Sequence, residues 1–204
     1  MLARLRPLPG ALESIEPAIL LAFSDDPAEQ AFAARSQGTR IAGGRAPLPT
    51  PPRYEHERIR IAYVSRDFYA HATAFLMAEL FELHDRTGFE VLAVSFGGDD
   101  GSAVRKRIVT ACDRFVEMRE ASDQQIAAWL RQQEVDIAID LKGYTGYGRP
   151  GIFALRPAPL QVNYLGHPGT MGAPFIDYLI ADPFLIPQGD AAFYAEKIVY
   201  LPDS

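Results

Sequence analysis

The segment RDFYAHAT (66–73) places a carboxylate and an imidazole four residues apart, at Asp67 and His71. Histidine titrates near neutral pH and a neighbouring carboxylate can orient its ring, so the pair suits general acid–base catalysis. Thr73 follows closely, where its hydroxyl could cap a helix or hydrogen-bond a phosphate or a sugar. A purely structural interpretation also fits, in which Asp67 caps a turn and His71 is an ordinary loop residue.

Two glycine-rich segments carry a second kind of chemistry. DLKGYTGYGRPG (140–151) sets the hydroxyls of Tyr144 and Thr145 among glycines, and LGHPGTMGAP (165–174) has a similar composition. Glycines let a backbone approach a ligand closely, while hydroxyls can bind sugar or phosphate oxygens. Simple flexible turns fit as well. The chain has no G-K-[ST] triplet, which excludes a P-loop, and no G-x-G-x-x-G turn after its first strand, which disfavours a nicotinamide site.

The elements that must position these segments are short apolar runs alternating with amphipathic stretches. Strands are predicted at 59–65, 89–96, 135–141, 161–165 and 177–181, with a candidate sixth at 198–201, and helices at 73–86, 102–115 and 122–133. This alternation predicts an α/β fold, a doubly wound and mostly parallel sheet covered on both faces. Because carboxyl ends of parallel strands meet at one edge, the three polar segments are expected to form one site there.

The first 57 residues have a different pattern. Residues 12–23 and 26–37 predict two short helices, the second capped by Asp26 with Pro27 in its first turn. The following stretch is rich in proline and glycine and predicts a linker. The predicted organisation is a helical segment at 1–38, a linker at 39–57 and an α/β lobe at 58–204.

Composition narrows the class of protein. The chain has 20 Lys+Arg against 26 Asp+Glu, a formal charge of −6, which disfavours a nucleic-acid partner. Cys112 is the only cysteine and the four histidines lack metal-ligand spacing, so we expect no metal and a reducing, cytoplasmic location. No apolar run approaches the roughly 20 residues that span a bilayer, so no membrane partner is expected. At 204 residues the chain is also too short for a complete two-lobed enzyme.

Three stretches resemble the protein O-linked N-acetylglucosamine transferase family. They are IRIAYVSRDFYAHATAFLMAELFELHDR, DLKGYTGYGRPGIFALRPAPLQVNYLGHPGTMGAPFIDYLIAD and EKIVYLPDS, within residues 59–204. More weakly, residues 12–37 resemble the stretch that joins a tetratricopeptide-repeat array to the catalytic region. The resemblance implies one Rossmann-like lobe of a GT-B glycosyltransferase that inverts the sugar linkage, needs no metal or other cofactor, and transfers N-acetylglucosamine from UDP-GlcNAc to Ser or Thr hydroxyls of proteins.

The resemblance also implies partners: a UDP-sugar donor, a protein acceptor and a second, C-terminal lobe that holds most of the nucleotide and is absent before Ser204. The chain alone is therefore expected to be inactive. Asp67 and His71 match the family's D-F-x-x-H pair at the active site, and Thr73 matches a threonine that contacts the donor. Further matches beside the sugar are Tyr144, Thr145, Leu165, Gly166 and Pro168.

Three positions depart from the family pattern. Ala72 replaces the usual proline, Phe75 replaces a second histidine of animal members, and His167 replaces the common tyrosine. These departures keep two alternatives open, a UDP-hexose-dependent protein glucosyltransferase of the same family and a non-catalytic binding or scaffold lobe.

Overall fold

The computed structural model describes residues 12–49 and 53–202. These residues form seven strands: β1 (Ile59–Ser65), β2 (Phe89–Ser95), β3 (Arg114–Glu117), β4 (Ile137–Asp140), β5 (Leu160–Tyr164), β6 (Tyr178–Ala181) and β7 (Lys197–Tyr200). The helices are α1 (Pro17–Leu20), α2 (Pro27–Gly43), α3 (Ala72–Leu83), α4 (Ala103–Ala111), α5 (Asp123–Gln132) and α6 (Gly151–Ala154), with a 3-10 helix at Gln188–Phe193.

The strands form a single sheet in the order β3-β2-β1-β4-β5-β6-β7, and every neighbouring pair is parallel. This confirms the predicted doubly wound α/β fold. The strand order reverses between β1 and β4, where Val64 lies opposite Asp140. In open sheets of this kind the loops diverge at such a switch point and leave a crevice that ligands occupy.

Apolar side chains cover both faces of the sheet. Along β1, Ala62 and Val64 join the cluster on one face, while Ile61 and Tyr63 join the cluster on the other. Successive side chains of a strand point to opposite faces, so a strand buried on both sides reads as a continuous apolar run. This is why the central strands were predictable from the sequence.

The predicted helix at 102–115 was too long, and β3 was missed. α4 ends at Ala111 and Arg114–Glu117 pairs with β2. Asp113 begins the pairing with β2 after the end of α4. Its backbone N–H donates to the carbonyl of Val91, and its carboxylate accepts the Val91 N–H at 2.8 Å. β3 lies at the sheet edge with two exposed and two half-buried residues, so it lacks the apolar run that identifies a central strand.

The N-terminal helices also differ from the prediction. The first is confined to Pro17–Leu20, whereas α2 continues to Gly43, so the predicted boundary at residue 38 falls inside a helix. Asp26 caps α2 as predicted, accepting the N–H of Ala28 at 2.8 Å. α2 buries three alanines, and Ala34 belongs to the main core cluster of the lobe. α2 therefore packs against the α/β unit, and this packing sustains the helix past its glycine.

Gly38 gives a matched test of that packing. A Cβ at Gly38 would lie 2.8 Å from the Cα of Ala173, whereas one at Gly43, in the same helix, would have no atom within 4 Å. We expect Gly38→Ala to lower the free energy of unfolding by about 1–3 kcal/mol despite alanine's better helix propensity. Gly43→Ala is expected to be neutral or stabilising by up to about 1 kcal/mol. Urea unfolding of both variants checks this; equal effects would contradict the close packing.

Candidate active site

The three polar segments meet at the carboxyl edge of the sheet, as predicted. The ammonium of Lys142 lies 2.7 Å from the carboxylate of Asp67, joining the loop after β4 to the loop after β1. The Tyr144 and His167 rings, from the second and third segments, are 5.3 Å apart. Gly166 lies so close to the loop after β4 that a Cβ there would be 2.1 Å from the Leu141 carbonyl oxygen. The segments thus form one surface at the switch point.

Asp67 and His71 are placed differently in this surface. Asp67 is 2% exposed, and its backbone N–H donates to the Ser65 hydroxyl. The His71 side chain is 38% exposed, and its Nδ1 lies 3.7 Å from Oδ2 of Asp67. A buried carboxylate therefore stands behind an imidazole whose other edge can reach solvent or a ligand. This arrangement suits acid–base chemistry at Nε2.

His71, and not Thr73, is the N-cap of α3. Its Nδ1 accepts the backbone N–H of Thr73 at 3.2 Å. Because a backbone N–H can only donate, the proton of the neutral ring resides on Nε2 in this geometry. His71 thus presents an N–H donor outward, and it becomes a proton acceptor at Nε2 only when Nδ1 carries the ring proton and turns it toward Asp67.

Lys142 is the site residue that sequence reasoning missed. It is 6% exposed, and its ion pair with Asp67 is buried. The only signal was a lysine immediately after an apolar strand, in DLKGY. A lysine at that position ordinarily extends into solvent, so its burial depended on where the loop after β1 would lie.

The hydroxyls of Tyr144 and Thr145 are engaged within the protein. Tyr144 donates to the carbonyl oxygen of Met171 at 2.7 Å, and burial raises the pKa of this phenol. Thr145 donates through Oγ1 to the carbonyl oxygen of Lys142 at 2.7 Å. Both residues therefore shape the loop, and their predicted contacts with a sugar stay predictions.

The third segment turns sharply beside the crevice. Leu165 has a left-handed backbone with φ of 68°, and Gly166 follows where no side chain fits. Pro168 is exposed at the surface. Glu196, just before β7, holds this segment from behind, because its carboxylate accepts the Thr170 hydroxyl at 2.7 Å. Thus Leu165, Gly166 and Pro168 do lie at the predicted edge.

Beneath these loops lies a buried polar cluster of Asp140, Asn163 and His167. Oδ2 of Asp140, Oδ1 of Asn163 and Nδ1 of His167 are buried without hydrogen-bond partners among the described residues. Burial raises the pKa of Asp140 to about 6, although the N–H groups of Lys142 and Gly143 donate to its other oxygen. Burial lowers the pKa of His167 to about 4. Uncharged forms are favoured at both positions.

A second contact crosses the crevice at its surface. The guanidinium of Arg66, directly after β1, lies 4.0 Å from the ring centroid of Tyr147 in the loop after β4. Tyr147 is 77% exposed and has a left-handed backbone with φ of 62°. Cation–π contacts at exposed positions contribute about 0.5–1 kcal/mol, so this link across the crevice is a weak one.

Within residues 12–49 and 53–202, no three His, Cys, Asp or Glu side chains are arranged to share a metal ion. The same part of the chain contains no helix long and apolar enough to cross a membrane. Three surface grooves of 480, 620 and 690 Å³ lie elsewhere, and none of them is lined by Asp67, His71 or Lys142.

Comparison with known proteins identifies the family. Residues 45–204 match the sequence model of the family described as glycosyl transferase family 41. A probable UDP-N-acetylglucosamine--peptide N-acetylglucosaminyltransferase SEC of Arabidopsis thaliana is 41% identical over 157 residues, covering 77% of this chain and 16% of that protein. The UDP-N-acetylglucosamine--peptide N-acetylglucosaminyltransferase of Caenorhabditis elegans is 37% identical over 163 residues, covering 78% and 14%. This chain therefore spans about a sixth or less of the length of these two relatives.

A solved structure agrees with the sequence comparison over nearly the whole chain. A mutant of the Thermobaculum terrenum O-GlcNAc transferase superposes with a TM-score of 0.83 and 32% identity, covering 94% of this chain and 37% of that one. This chain belongs to glycosyl transferase family 41.

Proposed function

We propose that this chain is the first catalytic lobe of an inverting glycosyltransferase that moves N-acetylglucosamine from UDP-GlcNAc to Ser or Thr hydroxyls of proteins. One observation carries the proposal: in a family 41 lobe, a half-exposed His71 backed by a buried Asp67 lies at the switch-point crevice. The names of the relatives supply the donor and the peptide acceptor. We place the protein in the cytoplasm, where nucleotide sugars and reduced Cys112 are both expected.

The proposed reaction is a single in-line displacement. The acceptor hydroxyl oxygen bonds to the anomeric carbon from the face opposite UDP, the bond to the UDP oxygen breaks, and UDP leaves with the electron pair. The hydroxyl proton passes to a base beside the acceptor. Inversion follows because attack and departure occur on opposite faces of the sugar.

His71 is the proposed base or orienting group. To take the proton at Nε2, the ring must carry its other proton on Nδ1, which exchanges the hydrogen bond from Thr73 for one to Asp67. Asp67 polarises the ring and stabilises the imidazolium that forms. The 3.7 Å separation must shorten in the reacting complex, as catalytic hydrogen bonds commonly do on substrate binding.

The donor sugar is proposed to lie beside the loops after β1 and β5. We propose, from the family resemblance, that Thr73, Gly166 and Pro168 contact this sugar, with Leu165 turning the chain beside them. The diphosphate and uridine are proposed to bind mainly to a second lobe, since the chain covers 37% of the Thermobaculum terrenum transferase. The scheme assigns stabilisation of the leaving diphosphate to that lobe and includes no metal.

Transfer of labelled sugar tests the proposal. The complete gene product is incubated with a Ser/Thr peptide and either UDP-GlcNAc or UDP-glucose, with and without EDTA. We expect transfer from UDP-GlcNAc to be faster and EDTA to leave the rate unchanged. Faster transfer from UDP-glucose would support the protein glucosyltransferase. Binding of UDP-GlcNAc with neither transfer nor hydrolysis would support a non-catalytic lobe and overturn the proposal.

A further inference from the structure

We propose that Lys142 is a positioning residue of this site: its ammonium group holds the Asp67 carboxylate in the place from which it can orient His71. The inference rests on the proposed function, because an oriented imidazole matters only if the site moves a proton. The family resemblance assigns no role to Lys142, whose contact with Asp67 is seen in the structure.

The geometry links the three side chains through a single oxygen. Oδ2 of Asp67 lies 2.7 Å from Nζ of Lys142 and 3.7 Å from Nδ1 of His71. The side chains of Lys142 and Asp67 are 8% and 3% exposed, whereas that of His71 is 38% exposed. The ion pair is therefore shielded from water, and the imidazole is its only member open to a substrate.

Hydrogen bonds within the loop after β4 fix the backbone of Lys142. The backbone N–H of Lys142 donates to Oδ1 of the buried Asp140 at 2.8 Å. Its carbonyl oxygen accepts from Thr145 twice, from the backbone N–H at 3.2 Å and from Oγ1 at 2.7 Å. Both the N–H and the carbonyl group of Lys142 are thus fixed by hydrogen bonds.

The ion pair of Lys142 and Asp67 places two opposite charges in a site shielded from water. An ion pair shielded from water contributes little net stability compared with apolar side chains of similar volume, so stability alone does not account for it. The ammonium does hold Oδ2 of Asp67, the oxygen that lies 3.7 Å from Nδ1 of His71. Other charged or titratable groups nearby are Tyr69, which hydrogen-bonds Asp67, Arg66, which lies over Tyr147, and Asp100, whose carboxylate accepts the Ala70 N–H. None of these provides a buried cation in contact with Asp67.

The direct test is Lys142→Met in the complete gene product. We expect kcat for transfer to fall about 10²-fold with KM for UDP-GlcNAc little changed, since displacement of a catalytic group by about 1 Å costs that much. We also expect the acidic limb of the kcat/KM profile to move to higher pH, because the carboxylate loses the cation that opposes its protonation. Lys142→Arg should recover part of kcat. Lys106→Met, an exposed lysine on α4, is the matched control and should leave all three unchanged.

A double-mutant cycle separates positioning from folding. Asp67→Asn/Lys142→Met removes both charges, so no uncompensated charge stays buried even if the single variant unfolds. Because Lys142 acts through Asp67, adding Lys142→Met to Asp67→Asn is expected to change kcat less than about 3-fold. If the loss of kcat in the double variant equalled the product of the two single losses, the proposal would be overturned. A folded Lys142→Met protein with wild-type kcat and a wild-type pH profile would also overturn it.

NMR of His71 needs no transferase activity, so it can test the role of Lys142 separately from the proposed transferase function. With ¹³C-labelled histidine, the NMR titration of His71 should move to higher pH in Lys142→Met, because Asp67 then has the imidazole as its sole cationic partner. Such a shift in a protein that transfers no sugar would confirm that Lys142 acts on His71 through Asp67, but it would end the proposed function. An unchanged His71 titration in folded Lys142→Met would contradict the Lys142 proposal, whatever the activity.

Discussion

Replacing His71 by alanine in the complete gene product is expected to lower kcat/KM for sugar transfer by about 10²–10⁴-fold, the contribution typical of a general base. His71 is the imidazole of the site whose side chain is both backed by a buried carboxylate and substantially exposed. The loss should appear mainly in kcat, because the ring acts on a proton that moves in the transition state. Steady-state kinetics with a Ser/Thr peptide and UDP-GlcNAc measure it.

The alanine variant also removes a helix cap, and this effect must be separated from catalysis. His71 accepts the N–H of Thr73, the second residue of α3, through Nδ1, and loss of such a cap costs about 1 kcal/mol of stability. His71→Asn retains a capping acceptor while removing the imidazole, so it should be as inactive as alanine but more stable. Asp26→Ala removes the cap of α2, outside the three polar segments, and should lower stability without lowering kcat. Near wild-type transfer by His71→Asn would end the role assigned to His71.

The central strands were predictable because burial on both faces leaves a continuous apolar run. β1 was predicted with its observed bounds, and β2 to within one residue. The edge strand β3 was not, since its conformation depends on pairing with β2 and on the Asp113 hydrogen bonds to Val91. The local pattern of apolar residues predicts which strands are buried, but it says little about pairing with residues that are distant in the chain.

In the candidate site too, some features could be predicted from the sequence and others depend on contacts between distant segments. That Asp67, His71 and the two glycine-rich loops would share one edge followed from parallel topology alone. The roles of individual atoms did not follow. That Lys142 is buried, and that the hydroxyls of Tyr144 and Thr145 face backbone carbonyls, depends on how three loops from different strands pack together. Sequence therefore locates the site, while the hydrogen-bond directions within it require the structure.

The buried cluster below the loops is expected to give two opposing dependences of stability on pH. The pKa of Asp140 is raised from 3.8 to about 6, so the folded state binds more protons and gains stability as pH falls through this window. The pKa of His167 is lowered from 6.5 to about 4, so the folded state binds fewer protons and loses stability over nearly the same window. At about 1.4 kcal/mol per pKa unit, each effect amounts to about 3 kcal/mol, and the two largely cancel in the wild-type protein.

Single substitutions should reveal each effect. Asp140→Asn retains an oxygen for the N–H groups of Lys142 and Gly143 and adds an amide that can donate toward the unpartnered oxygen of Asn163, its register neighbour. With the acid-induced gain removed, this variant should lose about 3 kcal/mol relative to wild type between pH 7 and pH 4. His167→Gln cannot acquire a charge and should gain about as much relative to wild type over the same range.

Urea unfolding at pH 4, 5, 6 and 7 measures these differences, and comparison with wild type removes the contribution of the carboxylates and histidines that all the proteins share. The double variant Asp140→Asn/His167→Gln should restore the wild-type pH dependence, because it removes both effects. Parallel curves for wild type and Asp140→Asn would mean that Asp140 is ionised in the folded protein at pH 5. The hydrogen bonds from Lys142 and Gly143 would then outweigh burial, and the loop that presents Lys142 to Asp67 would be fixed by a charged group.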